Sequence, residues 1–252
     1  MGLRDQAVRA AKSIVNSRAV LPRRFPDLSP ETLEVYQRVK RYTMTTPERV
    51  AALCDAVRYV DANGIAGAIV ECGVYRGGSA MAAALTCTSG REIVLYDTFE
   101  GMSAPTADDA RASDGRPAAA LLDGAAKSDL IWCYSGEAEV AGNMRSTGYP
   151  DHLVRLVKGK VEDTIPGVMP AAIAVLRLDT DWYESTRHEL EHLYPRLAPG
   201  GVLIIDDYGY WAGARKAVDE FFGGSLFLGR IDGTGRIAIK PGAAPRTTPS
   251  AA

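Results

Sequence analysis

The segment that most constrains the fold spans residues 70–79 and reads Val-Glu-Cys-Gly-Val-Tyr-Arg-Gly-Gly-Ser. An apolar run precedes it, and a helical run of small residues at 80–85 follows it. This order predicts a strand, a tight glycine turn and a helix. Glycines let the backbone of such a turn approach a ligand closely, and the N-terminus of the helix offers free N–H groups. We therefore expect the first loop of a nucleotide-binding α/β sheet.

The spacing of the glycines separates two kinds of loop. A dinucleotide site has the pattern Gly-x-Gly-x-x-Gly, whereas this loop has Gly73, Gly77 and Gly78 behind the acidic Glu71. An acidic residue followed by Gly-x-x-x-Gly is typical of enzymes that use S-adenosylmethionine (SAM). The motif alone also fits a strand-turn-helix joint that binds nothing.

Composition excludes several classes of protein. The 252 residues suit one α/β domain with additional segments, and the hydrophobic fraction of 46% is enough to bury a core. A net charge of −2 gives no electrostatic reason to expect nucleic acid as a partner. The apolar runs are far shorter than the roughly 18 residues of a membrane span, so no membrane partner is expected.

The cysteines indicate the compartment. They lack Cys-x-x-Cys spacing, which favours free thiols in a reducing cytoplasm: Cys54, Cys72, Cys87 and Cys133. The first residues are charged and mixed, without the apolar core of a signal peptide. We therefore expect a cytoplasmic protein.

The sequence pattern divides the chain into three parts. Residues 1–40 predict an N-terminal helical extension, with one helix to about residue 18 and another that begins at Ser29 and Pro30. Residues 41–240 form the main domain, in which Thr46 and Pro47 predict the start of a further helix. The Pro/Ala/Thr-rich residues 241–252 predict a disordered tail. Within the domain, residues 102–150 lose the regular pattern apart from a helix near 137–144. This stretch predicts a lid or an acceptor-binding insertion.

Predicted strands alternate with helices and indicate a parallel sheet, with strands at 67–70, 92–96, 152–157, 173–178 and 202–205. A hairpin formed by 226–231 and 236–239 then places one antiparallel strand at or near the sheet edge. Plain dinucleotide folds lack this hairpin. The expected fold class is α/β, a Rossmann-like class I SAM methyltransferase with a mostly parallel seven-stranded sheet, one antiparallel strand and helices on both faces.

Acidic residues stand at the carboxyl ends of the predicted strands: Glu71, Asp97, Asp179, Asp206 and Asp207. Ligands of open α/β sheets bind at these ends. So many carboxylates at one edge repel one another unless cations or hydroxyls neutralise them. Glu71 can be assigned to the amino group of SAM and Asp97 to its two ribose hydroxyls.

The other acids, on the fourth and fifth strands, make a hard-oxygen site suited to Mg²⁺ or Mn²⁺: Asp179, Asp181, Asp206 and Asp207. Helix caps and surface charge remain an alternative explanation of the set. The tripeptide at 179–181 also resembles the Asp-x-Asp of metal-dependent glycosyltransferases, although no second domain is large enough for a sugar nucleotide.

Residues 188–192 read His-Glu-Leu-Glu-His and formally match the zinc-protease pattern. The charged Glu191 inside the pattern and the leucines at helical spacing around it favour an outer helix instead. We interpret the two histidines as solvated. Thr186 and Glu189 are spaced as a capping box for a helix over 185–197.

Six segments in chain order resemble the macrocin O-methyltransferase family: Tyr-Thr-Met-Thr at 42–45, the glycine motif at 70–79, Tyr-Asp-Thr-Phe-Glu-Gly-Met at 96–102, Gly-Lys-Val-Glu-Asp-Thr-Ile-Pro at 159–166, Leu-Arg-Leu-Asp-Thr-Asp-Trp-Tyr-Glu-Ser-Thr at 176–186 and Leu-Ala-Pro-Gly-Gly-Val-Leu-Ile-Ile-Asp-Asp-Tyr at 197–208. Members of this family methylate hydroxyls of sugars on bacterial natural products. They are class I SAM enzymes that need a divalent metal.

The resemblance implies a role for each motif residue. Asp179, Asp206 and Asp207 would bind Mg²⁺ or Mn²⁺, and Asp181 would be the general base. The SAM site would be lined by Thr43, Met44, Glu71, Gly73, Ser79, Asp97, Glu162 and Asp163. Residues 102–150 do not match the family pattern, so the resemblance does not identify the acceptor.

The expected reaction is in-line transfer of the SAM methyl group to a hydroxyl of a small-molecule glycoside. Alternatives are a catechol-type O-methyltransferase acting on an aromatic diol, a metal-dependent glycosyltransferase, and a SAM-binding protein without catalysis. The N-terminal extension leaves a homodimer open.

Overall fold

The structure is a computed structural model that describes residues 20–242. The helix predicted up to residue 18 and nearly all of the tail predicted for 241–252 lie outside the described residues. In the part of the chain that is described, no helix is both long and apolar enough to cross a membrane.

Within the described residues, seven strands form one sheet in the order β3-β2-β1-β4-β5-β7-β6. Their bounds are β1 Ala68–Cys72, β2 Ile93–Asp97, β3 Val154–Lys158, β4 Ile173–Leu178, β5 Leu197–Ile205, β6 Gly229–Arg230 and β7 Arg236–Ile239. The strands β1 to β5 pair in parallel, and β7 runs antiparallel to both β5 and β6. The predicted fold class, with one antiparallel strand next to the edge, is confirmed.

The helices are α1 Leu21–Arg24, α2 Pro30–Val39, α3 Pro47–Ala62, α4 Gly78–Thr86, α5 Ala118–Asp123, α6 Glu137–Arg145, α7 Val161–Thr164, α8 Tyr183–Leu193 and α9 Ala212–Phe222. The predicted starts of α2 and α3 are confirmed. Ser29 and Thr46 each accept a hydrogen bond from a backbone N–H in the first turn, and a proline follows each of them.

The central strands are buried on both faces, and alternate side chains enter two separate cores. Ile69 and Ile93 face the core that holds apolar residues of α1 to α4. Val70 and Val94 face the core that holds apolar residues of α8 and α9. The helices α1 and α2 therefore share one core with α3 and α4, on what we call the first face of the sheet.

Residues 102–150 are more ordered than their composition indicates. The predicted helix near 137–144 is confirmed as α6, and its Val140 and Met144 enter the core of the first face. The first half of the stretch adds α5 and packs on the starts of α8 and α9 through a third apolar cluster that includes Leu122, Trp182 and Trp211. Long-range packing of this kind leaves no periodic signal in a sequence window.

The capping box predicted for Thr186 and Glu189 is wrong. Helix α8 begins at Tyr183, and both residues are buried inside it. Its first N–H group is instead capped from a distance, because the Tyr183 N–H donates to Asp109 Oδ1 at 2.8 Å. Asp109 is itself buried, and its Oδ2 accepts from the backbone N–H and the hydroxyl of Thr106.

Replacing Asp109 should destabilise the fold. Asp109→Ala leaves the buried N–H of Tyr183 unpaired and removes the acceptor of the Thr106 N–H and hydroxyl, so we expect the free energy of unfolding to fall by about 2 kcal/mol or more. Urea unfolding measures this change. The matched control is Asp108→Ala, because Asp108 makes only an exposed ion pair with Lys216 and should cost less than about 1 kcal/mol. Equal losses in the two variants would contradict the capping role.

Candidate active site

A cleft of about 490 Å³ opens at the carboxyl ends of the parallel strands. Its position follows from the sheet, since ligands of open α/β folds bind where parallel strands end. Its volume lies in the range of small-molecule sites. The segments predicted to matter meet here, and the lining includes 43–45, 73–75, 97–98, 159–162, 179–181 and 206–207.

Two glycines let backbone segments of the cleft approach one another. Gly73 has a φ of +81°, and a Cβ on it would lie 2.0 Å from the carbonyl oxygen of Asp179. A Cβ on Gly78 would lie 2.6 Å from Cβ of Thr43. The N–H of Gly78 donates to the carbonyl of Tyr42. The sequence argument reserved this space for a ligand, whereas the structure fills it with the end of β4 and with the segment before α3.

Three acids converge on the cleft. Asp179, Asp181 and Asp207 each offer one carboxylate oxygen, and these oxygens lie within 4.8 Å of one another. Burial raises the pKa of Asp179 and of Asp207 well above the usual range, and their acidic neighbours add to the effect. Burial and the charge of Asp179 raise the pKa of Asp181 to about 7. Hard oxygen donors that repel one another fit Mg²⁺ or Mn²⁺, which would neutralise them.

Asp206 differs from these three acids because both of its carboxylate oxygens accept hydrogen bonds from arginines. Its Oδ1 accepts from Arg177 Nη2 at 2.6 Å, and its Oδ2 accepts from Nη1 of Arg49. Asp206 would therefore bind a metal only through a lone pair that the arginines leave free, or after Arg49 moves. Its predicted role as a metal ligand stays a prediction, as do those of Asp179 and Asp207.

Arg177 is the functional residue that the sequence analysis missed. It is buried on β4, and its guanidinium donates to Glu71, Asp179 and Asp206 at 2.5–2.7 Å. Burial alone would lower the pKa of Arg177, but the surrounding carboxylates outweigh it and raise that pKa well above the usual value. An arginine inside the apolar run of β4 was the available signal, because a buried cation needs acidic partners.

Glu71 is buried, is not part of the cleft lining, and pairs with Arg177. Burial raises the pKa of Glu71 to about 7, although Arg177 opposes the shift. Its Oε2 is buried and has no hydrogen-bond partner within the described residues. That free acceptor would suit the amino group of SAM, and this assignment stays a prediction.

Asp97 organises the loop that follows β1. It accepts from the backbone N–H groups of Val74 at 2.7 Å, Phe99 at 2.8 Å and Tyr75 at 3.2 Å. Burial raises the pKa of Asp97, and these N–H donors oppose the shift. The predicted contact with ribose hydroxyls would use the remaining lone pairs and stays a prediction.

The other predicted SAM residues are brought together only in part. The lining of the cleft includes Thr43, Met44, Gly73, Ser79 and Glu162. Asp163 is exposed on α7 and is not part of this lining.

The zinc-protease pattern forms no metal site here. His188 Nε2 lies 2.9 Å from the carbonyl of Ile165, and His192 Nδ1 lies 2.9 Å from the carbonyl of His188. The expectation of solvated histidines is wrong in this respect, because both rings are half-buried against backbone acceptors. Glu189 between them is fully buried and accepts from Thr180 Oγ1 at 2.9 Å.

The strand order, the glycine loop and the acid-rich cleft define a class I SAM-dependent methyltransferase. The macrocin-O-methyltransferase (TylF) family model matches residues 36–227, and the chain belongs to this family. It is therefore a SAM-dependent O-methyltransferase, and the glycosyltransferase alternative is wrong.

The named relatives are O-methyltransferases. The chain is 38% identical over 217 residues to the 8-demethyl-8-(2,3-dimethoxy-alpha-L-rhamnosyl)-tetracenomycin-C 4'-O-methyltransferase of Streptomyces olivaceus, covering 83% of this chain and 80% of the relative. It is 33% identical over 201 residues to the mycinamicin III 3''-O-methyltransferase of Micromonospora griseorubida, covering 78% and 76%. The structure of the O-methyltransferase NovP matches with a TM-score of 0.68 at 30% identity, covering 79% of this chain and 82% of NovP.

Removing the buried guanidinium should be costly. Arg177→Met leaves Glu71, Asp179 and Asp206 without their shared cation, so we expect a loss of about 3–5 kcal/mol in the free energy of unfolding. The control Arg187→Met removes exposed interactions with Glu191 and Tyr183 on α8 and should change the free energy of unfolding by about 0.5 kcal/mol or less. Denaturant unfolding of both variants decides, and a loss below about 1 kcal/mol for Arg177→Met would contradict the role assigned to it.

Proposed function

We propose that this chain transfers the methyl group of SAM to a hydroxyl of a sugar on a bacterial natural product, in a reaction that needs Mg²⁺ or Mn²⁺. The convergence of Asp179, Asp181 and Asp207 on the cleft carries the metal part of this proposal. The printed substrates of the relatives, a rhamnosyl tetracenomycin among them, support the acceptor class.

The cleft offers separate places for the two reactants. SAM would lie along the glycine loop, between the segment 43–45 and Asp97. Ser79, in the first turn of α4, also lines the cleft. The acceptor would enter beside the acids, where the lining is apolar and includes Met102, Leu130, Ile131, Tyr210 and Trp211. Leu130 and Tyr210 are exposed at its mouth, which suits a glycoside with an apolar aglycone.

A sugar hydroxyl is a poor nucleophile at neutral pH. A bound divalent cation supplies the Lewis acidity that lowers the pKa of such a hydroxyl. Asp181 would accept the proton, since it lies in the acid cluster on a turn that is strongly constrained. Its φ of +71° is a left-handed conformation that residues with a side chain adopt only when their surroundings impose it. Holding the hydroxyl and the methyl group in line lowers the activation barrier further.

A cytoplasmic location and a homodimer stay predictions. The catechol-type alternative uses the same acids, so the acceptor must be tested directly.

Metal removal tests the proposal. With SAM, Mg²⁺ and 4-nitrophenyl α-L-rhamnoside as acceptor, we expect methyl transfer that excess EDTA abolishes. SAM binding measured by calorimetry should survive EDTA, because none of the predicted SAM residues belongs to the cluster of Asp179, Asp181 and Asp207. Full turnover in EDTA would show that no metal is needed. Methylation of catechol but not of the rhamnoside would favour the catechol-type alternative.

Asp181→Asn tests the general base. Asn has nearly the shape of Asp but does not accept a proton, so kcat should fall on the order of 10²-fold or more while SAM affinity is retained. Asp179→Asn should instead weaken Mn²⁺ binding. Asp123→Asn, an exposed change at the end of α5, is the matched control and should leave kcat unchanged. A wild-type kcat for Asp181→Asn would remove this residue from the mechanism.

A further inference from the structure

Glu189 is a fully buried acid that the proposed reaction does not use. It lies on α8, and its Oε1 accepts from Thr180 Oγ1 at 2.9 Å. Its Oε2 has no hydrogen-bond partner within the described residues. Burial raises the pKa of Glu189 well above the usual range, which favours the uncharged form of its carboxyl group.

The partner of Glu189 lies between two acids of the cluster. Thr180 separates Asp179 from Asp181, so its conformation sets the directions of both carboxylates. The carbonyl of Thr180 accepts from the Trp182 N–H at 2.8 Å, where the chain enters α8. The hydroxyl of Thr180 donates to Glu189, farther along the same helix. Both polar ends of this residue are therefore held by the element that follows it.

Glu189 also interacts with the end of β1. The side chain of Cys72 lies against the Glu189 carboxyl and is fully buried. The next residue, Gly73, is the one whose missing side chain lets the loop approach Asp179. Glu189 thus lies between the glycine loop and the turn that carries the acids. The Glu189 side chain is completely enclosed, so its carboxyl group is shielded from water.

We infer that Glu189 and Thr180 form a positioning pair that sets the carboxylates of Asp179 and Asp181 for metal binding and proton transfer. The inference rests on the function proposed above. Neither residue is assigned a contact with the reacting atoms. Residues that orient metal ligands from behind typically change metal affinity or activity by about 10-fold to 100-fold when they are replaced.

The test uses two disruptive and two conservative variants. Thr180→Val keeps the shape and removes the donor, and Glu189→Leu removes the acceptor. Thr180→Ser keeps the hydroxyl donor, and Glu189→Gln keeps an oxygen acceptor. We expect the dissociation constant for Mn²⁺, measured by electron paramagnetic resonance of free Mn²⁺, to rise about tenfold or more in the first two and to stay within about twofold in the second two. SAM affinity by calorimetry should be unchanged in all four.

Turnover of the rhamnoside acceptor provides a second readout. In Thr180→Val, kcat should fall while KM for SAM stays constant, and Thr180→Ser should restore kcat. A loss of folded protein would also lower the apparent kcat, so kcat is expressed per folded protein, measured by circular dichroism. Thr180→Val alone decides if Glu189→Leu does not fold. Wild-type Mn²⁺ affinity and kcat in Thr180→Val would overturn the inference.

Failure of the proposed metal requirement can be told apart from failure of this inference. If the wild-type protein binds no Mn²⁺, the metal part of the proposed function is wrong. Amide hydrogen exchange over residues 179–182 then decides on the pair. Faster exchange in Thr180→Val, with wild-type exchange in Thr180→Ser, supports positioning of the turn. Unchanged exchange in Thr180→Val overturns it.

Discussion

The site depends on one buried cation. Arg177 joins the carboxyl ends of β1, β4 and β5 by donating to Glu71, Asp179 and Asp206. Acids from three strands meet at one sheet edge, and without a shared guanidinium their burial would be strongly unfavourable. Its planar fork reaches several carboxylates at once, which the compact ammonium of lysine does not do. The acid-rich cleft is thus possible because β4 carries its own counterion.

The charged partners of the acids divide them into two groups. Asp206 is neutralised from both sides, by Arg177 and by Arg49, whose Nε also lies 3.0 Å from Asp232 in the β6–β7 turn. Arg49 lies in the first turn of α3, directly after the segment predicted to bind SAM. It therefore connects that segment and the terminal hairpin to the end of β5. The carboxylates of Asp179, Asp181 and Asp207 are left closest to one another, and they are the group that a cation would stabilise.

Local signals were sufficient for the main strands and helices and for their order. Alternating apolar strands and helices predicted the parallel sheet, and Ser29 and Thr46 predicted helix starts that the structure confirms. Contacts distant in sequence were not predictable from any window. Asp109 caps α8 from another part of the chain, whereas the sequence around Glu189 had suggested a capping box.

The sequence by itself determined that the acids would share one edge, because parallel strands all end on the same side of a sheet and each acid follows its strand directly. Only the tertiary structure decided the partner of each acid. Glu71, Asp179 and Asp206 turn toward Arg177, and Asp97 turns toward the backbone of the glycine loop. Asp179 also faces Asp181 and Asp207. The reason is physical: chain position sets where a carboxylate begins, whereas burial and the nearest donor set where it points.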